Sequence, residues 1–188
     1  GGPQMLNARK RGYDRYGNAT CTTLAHARAA CARLAAGEGV LAEAFVGFQT
    51  ELAALIARNG RGDVAAYPVV ETVQQNHVCH EVYAPAPIRP EDRDRAREVA
   101  LAAAEAAKGL GVTGVEMFLH DDGTVEVNEL APRPHNSGHY TIEACETSQF
   151  ENHLRGVLDM PLGSPQLRAP AAVMVNLLGT HRAAANPN

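Results

Sequence analysis

Two glutamates, Glu116 and Glu129, stand on either side of a short turn, and behind the second come Arg133, His135, Asn136 and His139, groups that hold anions and move protons. Residues 115–119 and 125–130 are short apolar, β-branched runs, and Asp122-Gly123 between them is a strong hairpin signal. Taken as a two-residue loop, Asp122-Gly123 sets position 121 against 124 and therefore Glu116 against Glu129. Directly opposed side chains lie about 5 Å apart at Cβ, where like charges repel. Carboxylates held that close share either a proton or a cation. With a cationic loop directly behind it, the pair has the layout of a metal–phosphate site.

Elements to carry this hairpin can be read on both sides of it. Residues 4–8 read as a strand. Residues 9–18, basic and glycine-containing without a hydrophobic period, read as a flexible loop able to close over phosphates. Thr22 or Thr23 caps a helix with Leu24, Ala27, Cys31 and Leu34 on one face, and Gly37 ends it. Residues 40–46 are strand-like and carry one acid, Glu43. Residues 51–58 have the composition of a short helix, but the turn at 59–63 and the run at 64–70 favour a β-hairpin. Residues 72–83 read as one further strand with a polar face, and 85–90 as a proline-rich connector. Pro90 opens a helix whose first turn carries Glu91 and Asp92; Val99, Ala103, Ala106 and Leu110 form its stripe, and Gly109 or Gly111 stops it. After the hairpin, Ser148 and Glu151 form a capping box ahead of Phe150, Leu154, Val157 and Leu158, and Pro161 ends that helix. Residues 162–170 read as a loop and 172–178 as a last strand.

The chain has 188 residues, 17 basic against 21 acidic side chains and a formal net charge of −4. That balance gives no electrostatic reason to expect nucleic acid or an anionic membrane as partner. No apolar run approaches the roughly 20 residues that span a bilayer, and no signal peptide is visible. Cys21, Cys31, Cys79 and Cys145 lack the close paired spacing of a zinc site and read as reduced, mostly buried thiols. His77, His80 and His153 have no metal spacing and read as strand-face or helix-surface residues. The expectation is a soluble cytoplasmic protein.

The run NELAPRPHNSGH (128–139) and its continuation YTIEACETSQFENHLRGVLDMPLGSP closely resemble the ATP-grasp domain of the 5-(carboxyamino)imidazole ribonucleotide synthase family of de novo purine biosynthesis. GYDRYGN (12–18), LAEAFVGFQTELA (41–53), YPVVETVQQNHVCHEVYAPAP (67–87) and APAAVMVNLLGT (169–180) extend the resemblance over nearly the whole chain. It implies an α+β fold: an ATP-grasp domain of antiparallel sheets with packed helices over 1–160, incomplete at its N-terminus. Residues 161–188 would then begin a small C-terminal β domain and tail, the family's N-terminal domain and the end of its C-terminal one being absent.

The resemblance also implies chemistry. The family uses ATP to activate bicarbonate as carboxyphosphate and transfers the carboxyl group to the amine of aminoimidazole ribonucleotide. Glu116 and Glu129 match its magnesium-binding acids, a site for Mg²⁺ or Mn²⁺, and Asn128 helps ligate metal or phosphate. Arg133 matches the cation that holds bicarbonate or carboxyphosphate; His135 and Asn136 match residues lining the aminoimidazole nucleotide site. Glu43, Phe45 and Val46 match the strand that reads adenine through backbone bonds, and Glu51 the acid that binds the ribose hydroxyls. Tyr13, Asp14 and Gly17 belong to the lid over the phosphates. The resemblance also implies a homodimer for the complete protein. Two departures stand out: Asn7 occupies the place of a phosphate-binding lysine, and Arg15 that of a lid glycine. They leave a second expectation, a module that binds Mg-nucleotide without turnover. HNSGH and the following TIEACE favour the carboxylating family over a formate-using ATP-grasp transformylase of the same pathway.

Overall fold

Gln4–Ala8 (β1) lies between Asn18–Cys21 (β2) and Val40–Ala44 (β3) in a three-stranded antiparallel sheet of the computed structural model, which describes residues 2–9, 17–35, 39–75 and 78–177. Leu24–Leu34 (α1) starts at Thr23, whose hydroxyl accepts the His26 N–H at 3.1 Å, as the capping signal requires. It packs Ala30 and Leu34 against Leu6 and Cys21. Leu24, expected on that face, is instead exposed, because it sits in the first turn ahead of the packed stripe. Gly37 lies outside the described residues. Gly1–Gly47 with Gln75–Val78 form one compact unit, and Phe48–Gln74 with Cys79–Asn188 form a second.

The larger unit is arranged around Thr50–Arg58 (β4), whose residues 52–57 are all buried. A strand covered on both faces reads as a continuous apolar run, which is why this segment also suits a helix by composition. β4 pairs with Val64–Ala66 (β5) and Val70–Gln75 (β6), and beyond β6 lies Val78–Ala84 (β7). The single strand expected over 72–83 is therefore two neighbouring ones; polar–apolar alternation is common to both and does not mark where one ends.

Pro90–Ala107 (α2) begins with proline in its first turn and Glu91 and Asp92 beside it, and ends at Lys108 in the left-handed region, φ 51°. Its buried line is Asp92, Ala96, Ala100 and Ala104; Val99 and Ala103 of the expected stripe are half-buried against the same core, whereas Ala106 and Leu110 are exposed. Alanines admit the helix close to Leu52, Ile56, Val115 and Met117. Asp92 extends that line because Arg89 and Arg95 pair with its carboxylate.

Gly111–Leu119 (β8) and Val125–Ala131 (β9) complete one side of the sheet, which runs β7-β6-β4-β8-β9. Thr141–Ala144 (α3) and Gln149–Val157 (α4) follow. Ser148 caps α4 by accepting the Glu151 N–H at 3.2 Å, while the Glu151 carboxylate turns to Arg155. Leu158 and Asp159, the latter at φ 55°, end the helix before Pro161 is reached. The face of α4 turned inward is Gln149, Asn152 and Gly156, whereas the apolar Phe150, Leu154, Val157 and Leu158 are exposed. The reason lies at Gly156, where an added Cβ would fall 2.5 Å from Arg58 O and 2.7 Å from Gly111 Cα, so only a small residue fits the approach.

Ala172–Val175 (β10) pairs antiparallel with β7, Val173 opposite Tyr83. This last strand joins the larger sheet beside β7. All four cysteines are free, three of them buried. Among the described residues no helix is long and apolar enough to cross a membrane.

Candidate functional site

Glu116 of β8 and Glu129 of β9 are cross-strand partners, as the turn count requires, but the count arrives there through two departures that cancel. The connection has three residues, not two. His120 N–H bonds Thr124 O, Gly123 N–H bonds His120 O, both at 2.9 Å, and Gly123 has φ 82°. A turn closed by a left-handed glycine is a common three-residue hairpin loop. It moves the register by one, so that Leu119 faces Val125 and Met117 faces Val127. A bulge then leaves Asn128 without a partner and returns Glu129 to Glu116. Without that bulge Glu116 would face Asn128.

β4 sets Ala53 opposite Glu116 and Glu51 opposite Phe118, so Glu51, Glu116 and Glu129 share the sheet face turned away from α2. Their surroundings differ. Glu129 is exposed, whereas the Glu116 side chain keeps only 25% of its exposure. Burial, then the neighbouring charges of Glu129 and Glu51, push the Glu116 carboxyl up to about 7, with Arg133 pulling the other way.

His135 completes the cluster. Its Nε2 lies 3.3 Å from Glu116 Oε1, and one ligand atom each from Glu116, Glu129 and His135 all fall within 4.8 Å of one another. Gly114, two residues before Glu116 on the same face, makes room for it: a Cβ there would sit 2.9 Å from His135 Cβ. The Ser137 N–H points at His135 Nδ1 at 3.4 Å, and Ser137 Oγ lies 2.9 Å from the same nitrogen. An N–H can only donate, so Nδ1 accepts and the ring proton sits on Nε2, directed at Glu116. Burial, then the charges of Arg133 and His139, lower the imidazole to about 4, so it is neutral near pH 7.

The donor set defines what would fit. Two carboxylates offer hard oxygen atoms, and His135 presents a proton rather than a lone pair. Such a set would suit a hard divalent cation, held by the two carboxylates. Arg133 is exposed, its guanidinium bonded to Pro134 O at 3.0 Å, and its charge acts on both Glu116 and His135. Asn136 Oδ1 is buried with no hydrogen-bond partner among the described residues, an acceptor left open beside His135.

In the smaller unit, Glu43 on β3 accepts a hydrogen bond from the Asn7 amide of β1. β3 ends at Ala44, so Phe45 and Val46 lie past it; the Phe45 N–H bonds Pro3 O at 3.1 Å and is thereby occupied. Gly17 is buried and its carbonyl accepts the Ala8 N–H. Tyr13 and Asp14, with Arg15, lie outside the described residues. Sequence reasoning passed over Gly114, Ser137 and Gln149, which hold the His135 loop. Only the histidine's own neighbours in the chain could have pointed to Ser137; Gly114 and Gln149 meet it through the fold.

Comparison with known proteins follows the same lines. Residues 1–150 match the ATP-grasp domain family. The chain is 44% identical over 179 residues to N5-carboxyaminoimidazole ribonucleotide synthase of Synechococcus elongatus, covering 95% of this chain and 45% of that protein. The crystal structure of an ADP complex of N5-carboxyaminoimidazole ribonucleotide synthetase superposes with a TM-score of 0.87 at 39% identity, over 94% of this chain and 46% of that one. The Aspergillus clavatus N5-carboxyaminoimidazole synthase in complex with ADP and 5-aminoimidazole ribonucleotide gives 0.83 at 37% identity, over 94% and 46%. The chain thus spans less than half the length of these relatives. With four-fifths of its residues matched and the acidic hairpin in place, the chain belongs to the ATP-grasp family.

Proposed function

We propose that this chain is the metal- and acceptor-binding part of a ligase that carboxylates 5-aminoimidazole ribonucleotide with bicarbonate, yielding N5-carboxyaminoimidazole ribonucleotide, ADP and phosphate in de novo purine biosynthesis. One observation carries the reading: Glu116, Glu129 and His135 converge within 4.8 Å in a chain 44% identical to an enzyme of that name. Glu116 and Glu129 hold Mg²⁺, for which Mn²⁺ can substitute, and Asn128 on the bulge reaches metal or phosphate. When bound, the ion supplies neutralisation of phosphate charge. Arg133 holds bicarbonate, whose oxygen attacks the γ-phosphorus of ATP as ADP leaves. The exocyclic amine then attacks the carboxyl carbon of carboxyphosphate, releasing phosphate and a proton. Asn136 Oδ1, open and buried, accepts an N–H of the imidazole nucleotide, and His135 borders the same group while keeping its proton against Glu116. Glu51 takes the ribose hydroxyls; Glu43, Phe45 and Val46 read adenine; Tyr13, Asp14 and Gly17 cover the phosphates. The complete protein is a cytoplasmic homodimer in this reading.

A second reading rests on Asn7, a neutral amide bonded to Glu43 where the family carries a phosphate-binding lysine. In that case the chain binds Mg-nucleotide and does not turn over. Calorimetric titration with Mg·ATP tests what both share: binding that Glu129→Gln removes is expected, and no binding by the intact chain refutes both. Phosphate release in a polypeptide of the relatives' length decides between them. Release requiring bicarbonate and aminoimidazole ribonucleotide together supports the ligase; binding without release supports the second reading, and release supported by formate refutes the carboxylating assignment.

A further inference from the structure

One side chain ties the loop that carries His135 to α4. Gln149, the first residue of that helix, is fully buried. Its Oε1 accepts the His135 N–H at 2.9 Å, and its Nε2 donates to the His135 carbonyl at 2.7 Å. An amide bonded to both main-chain groups of one residue acts as a neighbouring strand would, setting position and orientation together. The Gln149 N–H, a helix-terminal donor with no partner inside the helix, bonds Thr141 Oγ1 at 2.9 Å, and that hydroxyl donates to Gly138 O at 2.6 Å. Gly138 closes the packing. A Cβ there would fall 2.2 Å from Leu55 Cδ1 and 2.6 Å from Gln149 Oε1. His135 is therefore held between Gly114 below it and the Gln149 amide behind it, while Ser137 orients only its ring.

We infer that Gln149 is a positioning residue for His135. By gripping both main-chain groups it sets the 3.3 Å approach of Nε2 to Glu116 Oε1, and through it the shape of the cation site. The inference deepens the reading of Glu116 and Glu129 as cation ligands and rests on it. A merely structural role would be shared by Asn152, equally buried on α4 but bonded to Tyr67 Oη and to Gly163 instead of the His135 loop.

The test compares Gln149→Met, which keeps length and loses both bonds, with Asn152→Ser as control, by ¹⁵N NMR of the imidazoles and by Mg²⁺ titration. The wild-type chain and Asn152→Ser are expected to show His135 as the single Nε2–H tautomer. Gln149→Met is expected to average the two tautomers and weaken Mg²⁺ about tenfold, the lower end for groups outside the ligand shell. Should Gln149→Met fail to fold, Gln149→Glu keeps the shape and the acceptor for the His135 N–H and carries the same comparison, with a smaller loss. An unchanged tautomer and Mg²⁺ affinity in the Gln149 variants, or equal changes in Asn152→Ser, would overturn the inference. Failure of the wild-type chain to bind Mg²⁺ would instead refute the cation site, and the tautomer comparison would still decide the role of Gln149.

Discussion

The two faces of the larger sheet come from the same strands and both bury apolar side chains, but they part company at one end. On one, Leu52, Ala54, Ile56, Val115, Met117 and Leu119 meet the alanine line of α2. On the other, Glu51, Glu116 and Glu129 stand side by side, and His135, Ser137, Thr141 and Gln149 are buried beyond them. The first face removes apolar area from water at about 25 cal/mol per Å², as does the part of the second face where Ala53, Leu55, Ala57 and Val112 meet Tyr67, Val70 and Val82. At its acidic end, however, the second face takes a carboxylate out of water and sets another beside it, which costs stability unless a proton or a cation intervenes. Alternate residues of β8 serve the two ends: Val115 and Met117 hold the fold, Glu116 waits for a ligand.

If that division holds, substitutions on the two faces should separate stability from cation binding. The largest stability effect belongs to Leu52→Ala, expected to lose about 2–5 kcal/mol in urea unfolding while the folded fraction keeps its Mg²⁺ affinity. A parallel fall in affinity would show that the faces are not separable. Glu116→Gln is expected to do the reverse, losing Mg²⁺ binding and gaining stability. The raised carboxyl, about 7 against 4.5, means that this group's stabilising contribution is full below pH 4.5 and is lost as pH rises to 7. The gain of Glu116→Gln over wild type should therefore grow across that window to at most about 3 kcal/mol and stay level above it. His135 slopes the other way. Its imidazole, lowered from 6.5 to about 4, contributes above pH 6.5 and loses that contribution as pH falls to 4, so Glu116→Gln should leave a chain that weakens on acidification. Glu129→Gln, removing the second cause of the Glu116 shift rather than the first, should lose Mg²⁺ as completely with a smaller gain in stability.

The same contrast explains what could be read from the chain. The opposed glutamates were legible because a turn and an alternating pattern are local, although a three-residue loop and the bulge at Asn128 had to cancel for the count to succeed. Half of the expected α2 stripe, Val99 and Ala103, packs at the edge of the core, but a close helix–sheet approach selects Ala96, Ala100 and Ala104 for its centre, and hydrophobicity alone does not mark them. α4 follows a related rule: Gly156 brings its small and polar side against the strands, although amphipathicity alone points to the other side. The pairing of β10 with β7 and the grip of Gln149 on His135 join residues far apart or on separate elements, and no local pattern encodes them.

The smallest expected effect is at Gly114, on the acidic face under His135. A methyl group at this position would approach His135 Cβ to 2.9 Å and Cγ to 3.1 Å, so the His135 side chain must shift from its root and carry the ring with it. Crowding of that kind costs about 1–3 kcal/mol, and replacing glycine within a strand returns roughly 0.5–1 kcal/mol. Gly114→Ala should consequently change unfolding stability by about 1 kcal/mol. The displaced ring, however, carries Nε2 away from Glu116, so Mg²⁺ affinity should fall several-fold while the apolar face is untouched. Differential scanning calorimetry and a Mg²⁺ titration on the same sample measure the two quantities together. A loss of several kcal/mol would mean that the His135 loop cannot yield, and an unchanged affinity would mean that the 3.3 Å contact does not shape the cation site.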